Sequence, residues 1–225
     1  MTLRAVIFDF DGVLVDSEPF HFGALRESLV AEGVAIDEEE YLQTYLAYDD
    51  RGAIRLALER HGRPNDAGRV EVVAGRKAEI FDRMLAHIPF FPGVTALLET
   101  LAAEFPLAIA SGALRCEIEA VLSAGGVRTL FAAVVGADDV ARSKPHPEPY
   151  LSAMARLESR APGLRPEECL VFEDSMPGVA AALAAGMKVV AVTNSYPAAR
   201  LSAAHRVVGS LADVEASGLR ALFDS

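Results

Sequence analysis

Short apolar runs such as Ala5-Val6-Ile7-Phe8, Leu107-Ala108-Ile109-Ala110 and Val189-Val190-Ala191-Val192 recur along this chain, separated by longer stretches with helical spacing. Runs this short without polar alternation suit strands buried on both faces, which is normal only where helices cover a parallel sheet. The pattern therefore predicts a doubly wound parallel-sheet α/β core, Rossmann-like in architecture. Strands are expected near 4–9, 106–110, 133–136, 169–173 and 188–192, with a sixth at 205–208. Helices are expected near 93–104, 114–124, 147–159, 176–185 and 217–223. Pro92-Gly93, Pro147 and Ser175-Met176-Pro177 supply start signals, and Gly186 closes the helix that Ser175 opens.

Residues 16–88 break this alternation, because they hold no convincing strand and show helical periodicity nearly throughout. Asp16-Ser17-Glu18-Pro19 offers an N-cap with proline in the first turn of a helix running to about Ala31 and ending at Gly33. Further helices fit 37–47, 51–61 and 67–86. The expected organisation is a discontinuous core, 1–15 with 89–225, carrying an inserted all-helical cap domain, 16–88. Val15-Asp16 and Pro89-Phe90-Phe91-Pro92-Gly93 form the two crossings and have the composition of a hinge.

The 225 residues carry a formal charge of −11, which argues against nucleic acid as a partner, since that binding is driven by clustered Lys and Arg. It also repels phosphorylated small molecules at long range, so a site for them requires local cations. No apolar run approaches the ~20 residues that span a bilayer, and the opening lacks a signal peptide's apolar segment, so a cytoplasmic location without membrane contact is expected. Cys116 and Cys169 are too few and too far apart for a disulfide framework or zinc site and read as packing residues. The chain also lacks a GxxxxGK[ST] loop, a GxGxxG and an HExxH.

Ligands of open α/β sheets bind outside the carboxyl ends of the strands. There the chain places Asp9-Phe10-Asp11-Gly12, then Ser111-Gly112, then Ser143-Lys144-Pro145, then Glu173-Asp174-Ser175. Each cluster has a plainer account alone, as a turn, a solvated loop or a helix cap. Together they bring the Ser111 hydroxyl, one ammonium and four carboxylates to one edge of the sheet. Crowded carboxylates call for a divalent cation, and Mg²⁺ takes oxygen ligands such as Asp9, Asp174 and Glu173. An aspartate can attack phosphorus, a second can protonate the leaving alcohol, and Lys144 with Ser111 can hold phosphoryl oxygens.

At these residues the chain resembles the haloacid dehalogenase superfamily of Mg²⁺-dependent phosphotransferases. The Asp-x-Asp-Gly-Val opening, the Ser after strand two, the Lys-Pro loop and Glu-Asp-Ser followed by Gly178-Val179 carry the resemblance, with Ala184-Ala185-Gly186-Met187 beyond. The helical insertion is similar to the cap of the subgroup with β-phosphoglucomutase and small sugar-phosphate phosphatases. The resemblance implies that Asp9 is the nucleophile and Asp11 the acid/base, with the Asp11 backbone carbonyl at the metal beside Asp9, Glu173 and Asp174. It implies that His21 and Arg51 assist substrate from the cap, with Gly112 and Arg115 also facing substrate.

Asp11 argues against the dehalogenases proper, which lack that residue, and Lys77 lies beyond the position of the Schiff-base lysine of phosphonatase relatives. Where β-phosphoglucomutase follows its strand-two Ser with Ser-Lys-Asn, this chain has Gly112-Ala113-Leu114-Arg115. The expectation is a Mg²⁺-dependent phosphomonoesterase for a small sugar or polyol phosphate, monomeric or weakly dimeric. A phosphosugar mutase and a non-catalytic phosphometabolite-binding protein are the alternatives.

Overall fold

The computed structural model describes residues 2–46 and 48–224. In chain order the elements are β1 (Ala5–Phe8), α1 (Glu18–Val30), the single turn α2 (Glu38–Glu40), α3 (Asp50–Arg60), α4 (Ala67–Met84), α5 (Val94–Ala102), β2 (Leu107–Ala110), α6 (Arg115–Ala124), β3 (Phe131–Val135), α7 (Glu148–Arg156), β4 (Cys169–Glu173), α8 (Met176–Ala184), β5 (Lys188–Val192), β6 (Arg206–Val208) and α9 (Ala216–Arg220). Their contacts divide the chain into two compact units, 1–16 with 89–225, and 17–88.

The larger unit is an all-parallel sheet ordered β3-β2-β1-β4-β5-β6. The chain moves outward from β1 to β3 and then restarts on the other side of β1 with β4. This reversal makes the gap beyond the carboxyl ends of β1 and β4 the topological switch point. Every residue of β1 and β4 is buried. The period of two divides them: Ala5 and Ile7, with Cys169 and Val171, join the core against α7 and α8. Phe8 and Phe172 lie outside that cluster and stack with centroids 4.9 Å apart. Burying aromatic and branched side chains of this kind stabilises the fold by about 1.5–3 kcal/mol each.

The same alternation directs the functional side chains. Asp9 follows Ile7 on the α7 side of β1, and Glu173 follows Val171 on the α7 side of β4. The segments at the two crossings are paired within this unit: Val15 and Phe90 form an antiparallel bridge, Asp16 N donates to Pro89 O at 3.0 Å, and Phe91 N donates to Leu14 O at 3.0 Å.

The smaller unit has its own core, in which Leu25, Leu29, Ile54, Leu58, Val70 and Val73 are buried together. Buried Glu32 forms ion pairs with Arg69 and Arg76 of α4. The helix expected over 37–47 differs from the structure, where α2 passes into a π-helix at Tyr41–Tyr45. Tyr41 and Tyr45 are buried there with hydroxyls donating to Glu18 and Glu40. The last residue of that expected helix, 47, lies outside the described residues. Ser17 stands at the N-cap of α1 without a side-chain capping bond. Cys169 is buried in β4, but Cys116 is exposed on α6 and so does not pack the core as its residue type suggested. Among the described residues no helix is long and apolar enough to cross a membrane.

Candidate active site

Asp9 is buried, and its backbone N–H still follows the ladder, donating to Phe172 O at 2.9 Å. Its Oδ1 accepts from Phe10 N at 2.8 Å and faces Lys144 Nζ at 2.9 Å. Gly12 makes the exit at φ +73°, and any Cβ there would fall onto Asp174 Oδ2 and Ser195 Oγ.

Lys144 comes from the loop before α7, where its bond to Pro145 is cis. Its ammonium lies 4.9 Å from the centroid of the Tyr150 ring and donates to Glu173 Oε1 at 2.7 Å. Glu173, fully buried, is surrounded by donors. Tyr150 Oη donates to its Oε1 at 2.8 Å, while Oε2 accepts from Asp174 N, Ser175 N and Ser175 Oγ at 2.8, 2.8 and 2.9 Å. Ser175 Oγ in turn accepts from Gly178 N at 3.1 Å, which caps α8. With both oxygens in use, Glu173 fastens Lys144 and α7 to the start of α8.

One carboxylate oxygen from each of Asp9, Glu173 and Asp174 lies within 4.8 Å of the other two. Burial, with the Glu173 and Asp174 charges adding to it against Lys144, raises the Asp9 carboxyl well above the usual range. Burial and then Glu173 push Asp174 up to about 7, with Asp11 contributing in the same direction. Burial opposes ionisation of Glu173 too, yet Lys144 and the hydrogen bonds hold its carboxyl below the ordinary value. Lys144 stays well above its ordinary value, since Asp9 and Glu173 outweigh the cost of burying the ammonium. One ammonium thus faces several carboxylates, two of which resist ionisation. Such a set fits a hard divalent cation with a preference for oxygen ligands.

The other expected residues are placed as follows. Ser111 is buried at the end of β2, where its Oγ accepts from Ala113 N at 3.1 Å. Gly112 is exposed with open space where a side chain would stand. Arg115 is exposed, with its guanidinium 3.5 Å from Asp139 and 4.0 Å from Glu119. In the smaller unit, the His21 ring stacks on Phe81 with centroids 4.2 Å apart and its Nδ1 accepts from Lys77 Nζ at 3.1 Å. Lys77 is itself buried and donates to Asp50 Oδ1. Arg51 is exposed and clasped by Glu71 at 2.6 and 2.9 Å in a two-pronged pair.

Three contributors to the site went unread in the sequence. Tyr150 is one, and its signal is a phenol on the buried face of α7, where the hydroxyl must find a partner. Asn194 and Ser195 follow β5: Ser195 Oγ donates to Asp174 Oδ2, and Asn194 Nδ2 donates to Gly12 O at 2.7 Å. Reading the exit of the fifth strand by the rule applied to the first four finds them.

A doubly wound sheet with an Asp-x-Asp-Gly exit, a partly buried Lys and an acidic pair at its switch point defines a hydrolase of the haloacid dehalogenase type. Residues 3–186 match the family model of the haloacid dehalogenase-like hydrolases. The chain is 33% identical over 207 residues to Protein CbbY of Rhodobacter capsulatus, covering 87% of this chain and 88% of that protein. It is also 33% identical over 190 residues to fructose-1-phosphate phosphatase YqaB of Escherichia coli K12, covering 83% and 95% respectively. The crystal structure of CbbY from Rhodobacter sphaeroides in complex with phosphate superposes with a TM-score of 0.79 at 28% identity, covering 96% of this chain and 99% of that one. The chain belongs to the haloacid dehalogenase-like hydrolase family, and it is a phosphatase-type enzyme within it.

Proposed function

We propose that the enzyme is a Mg²⁺-dependent phosphomonoesterase for a small sugar or polyol phosphate, working through an aspartyl phosphate on Asp9. The observation that carries this reading is the Asp9 carboxylate held 2.9 Å from the partly buried Lys144 beside Asp174 at the switch point. The name of one relative, fructose-1-phosphate phosphatase YqaB, supports the substrate class.

Asp9 and Asp174 are the carboxylates that would hold the ion, with the Asp11 carbonyl expected alongside. When bound, Mg²⁺ would neutralise phosphoryl oxygens and let an anion approach the carboxylates. Asp9 attacks phosphorus, forming the acyl phosphate as the bond to the ester oxygen breaks, and Asp11 gives its proton to the departing alcohol. Asp11, now a carboxylate, takes a proton from water; the resulting hydroxide attacks phosphorus, phosphate leaves, and Asp9 is restored. Lys144 and Ser111 hold phosphoryl oxygens while charge shifts between the two ends of the transfer. The helical unit, 17–88, is proposed to act as the cap, bringing His21 and Arg51 to the substrate.

A panel of phosphorylated metabolites tests this directly. Free phosphate should be released with Mg²⁺ present and not with EDTA. No turnover of any small phosphoester by metal-loaded protein would overturn the reading. The mutase alternative is separated on the same panel, because it requires β-glucose 1-phosphate to yield glucose 6-phosphate without net phosphate release.

A further inference from the structure

We propose that Ser195 and Asn194 are positioning residues that hold Asp174 and the Asp9–Gly12 turn in the arrangement that binds the divalent cation. The inference rests on the reading of this edge as a Mg²⁺ site and adds two residues that no strand-one or strand-four motif contains.

A carboxylate turns easily about the bond joining it to its side chain, because that torsion has broad minima. Oδ2 of Asp174 is tied by the Ser195 hydroxyl, which fixes the rotation of the group. The turn after β1 is held at both ends of Gly12: its N–H donates to Val15 O at 3.0 Å and its C=O accepts from Asn194 at 2.7 Å. The peptide between Asp11 and Gly12 is planar and trans, so fixing the Gly12 N–H also fixes the direction of the Asp11 carbonyl. Gly12, without a Cβ, lets Asp174 Oδ2 and Ser195 Oγ close over it, and the exits of β1, β4 and β5 thereby meet at one point.

Both Asn194 and Ser195 are exposed, so neither contributes appreciably to the core. Their polar atoms are directed instead at the two segments that would carry the ion. Partners that orient metal ligands typically influence affinity by roughly 10- to 100-fold.

Calorimetric titration of metal-free protein with Mg²⁺ tests the assignment on the parent, Ser195→Ala, Ser195→Thr and Asn194→Ala. Ser195→Ala is expected to weaken Mg²⁺ binding by about tenfold or more. Ser195→Thr, which keeps the hydroxyl, should bind within about twofold of the parent, and Asn194→Ala should fall between. The Mg²⁺ concentration for half-maximal turnover should rise in Ser195→Ala by the same factor as the dissociation constant, while the thermal midpoint of the metal-free variant stays at the parent's value. Binding by Ser195→Ala within twofold of the parent overturns the proposal, as does a loss that threonine fails to restore. Failure of the parent to bind Mg²⁺ at all removes the metal reading itself, an outcome distinct from equal binding by parent and variant.

Discussion

Asp9 and Asp11 are two residues apart and carry different halves of one proposed reaction, so their variants should fail differently. Asp11→Asn removes the proton donor while leaving Asp9 beside Lys144, and a sugar alkoxide is a poor leaving group without a proton. The first step, transfer of the phosphoryl group to Asp9, should slow by about 10²- to 10⁴-fold for a sugar phosphate and by much less for p-nitrophenyl phosphate, whose phenolate leaves unaided. Single-turnover release of the alcohol from both esters checks this, because the later water step needs Asp11 for either ester, and equal losses in the first step would contradict the acid role. The raised carboxyls of Asp9 and Asp174 give a second expectation. A carboxyl raised on folding makes the metal-free native state bind protons more tightly than the unfolded chain. Stability of the metal-free protein therefore declines as pH climbs from the ordinary value of 3.8 through the Asp174 value of about 7. Mg²⁺ competes with those protons, so its stabilising effect should grow with pH over the same window. Melting curves with and without Mg²⁺ near pH 5.5 and near pH 8 should show the larger shift at the higher pH.

Strand periodicity made the placement of Asp9, Glu173 and Asp174 at strand exits legible in the sequence, because a two-residue period and a right-handed doubly wound topology leave little freedom in where strand exits go, while Lys144 stood out as a Lys-Pro pair in a loop following the third strand. Arg115 was less legible: Asp138 and Asp139 lie just beyond β3, and their proximity depends on tertiary folding that no local pattern encodes. The π-helix at Tyr41–Tyr45 was hidden for a similar reason, since π and α segments share helical residues and differ in a single register step. Asn194 and Ser195 were legible in principle, being a strand exit like the others. At the start of α8, Gly178 has an ordinary helical role, but a Cβ on it would occupy the Glu173 carboxylate. Gly178→Ala should therefore displace Glu173, loosen Lys144 and cost about 1–3 kcal/mol by overpacking. Denaturant unfolding should register that cost, and turnover should drop further than the fraction unfolded explains. A variant with parental turnover would show that Glu173 can shift without consequence.

Across the whole molecule, the acidity implied by a charge of −11 is met by very local cations, with Lys144 paired to the carboxylates Asp9 and Glu173. Long-range attraction of an anionic substrate is thus weak, and rising ionic strength should slow its capture less than in an enzyme with a basic surface. The two-unit division falls where alternating strand and helix patterns give way to helix alone. Pairing of Val15 with Phe90 has a consequence for engineering: the chain leaves and re-enters the sheet-bearing unit at adjacent points. Neighbouring backbones in such a bridge are about 5 Å apart, a gap that a few glycines span with a small closure entropy. Excision of 17–88 with a short glycine splice should therefore yield an independently folding protein with a cooperative melt and protected sheet amides in hydrogen exchange. The insertion is then a removable cassette, and lids of other shapes could be spliced onto the same two ends.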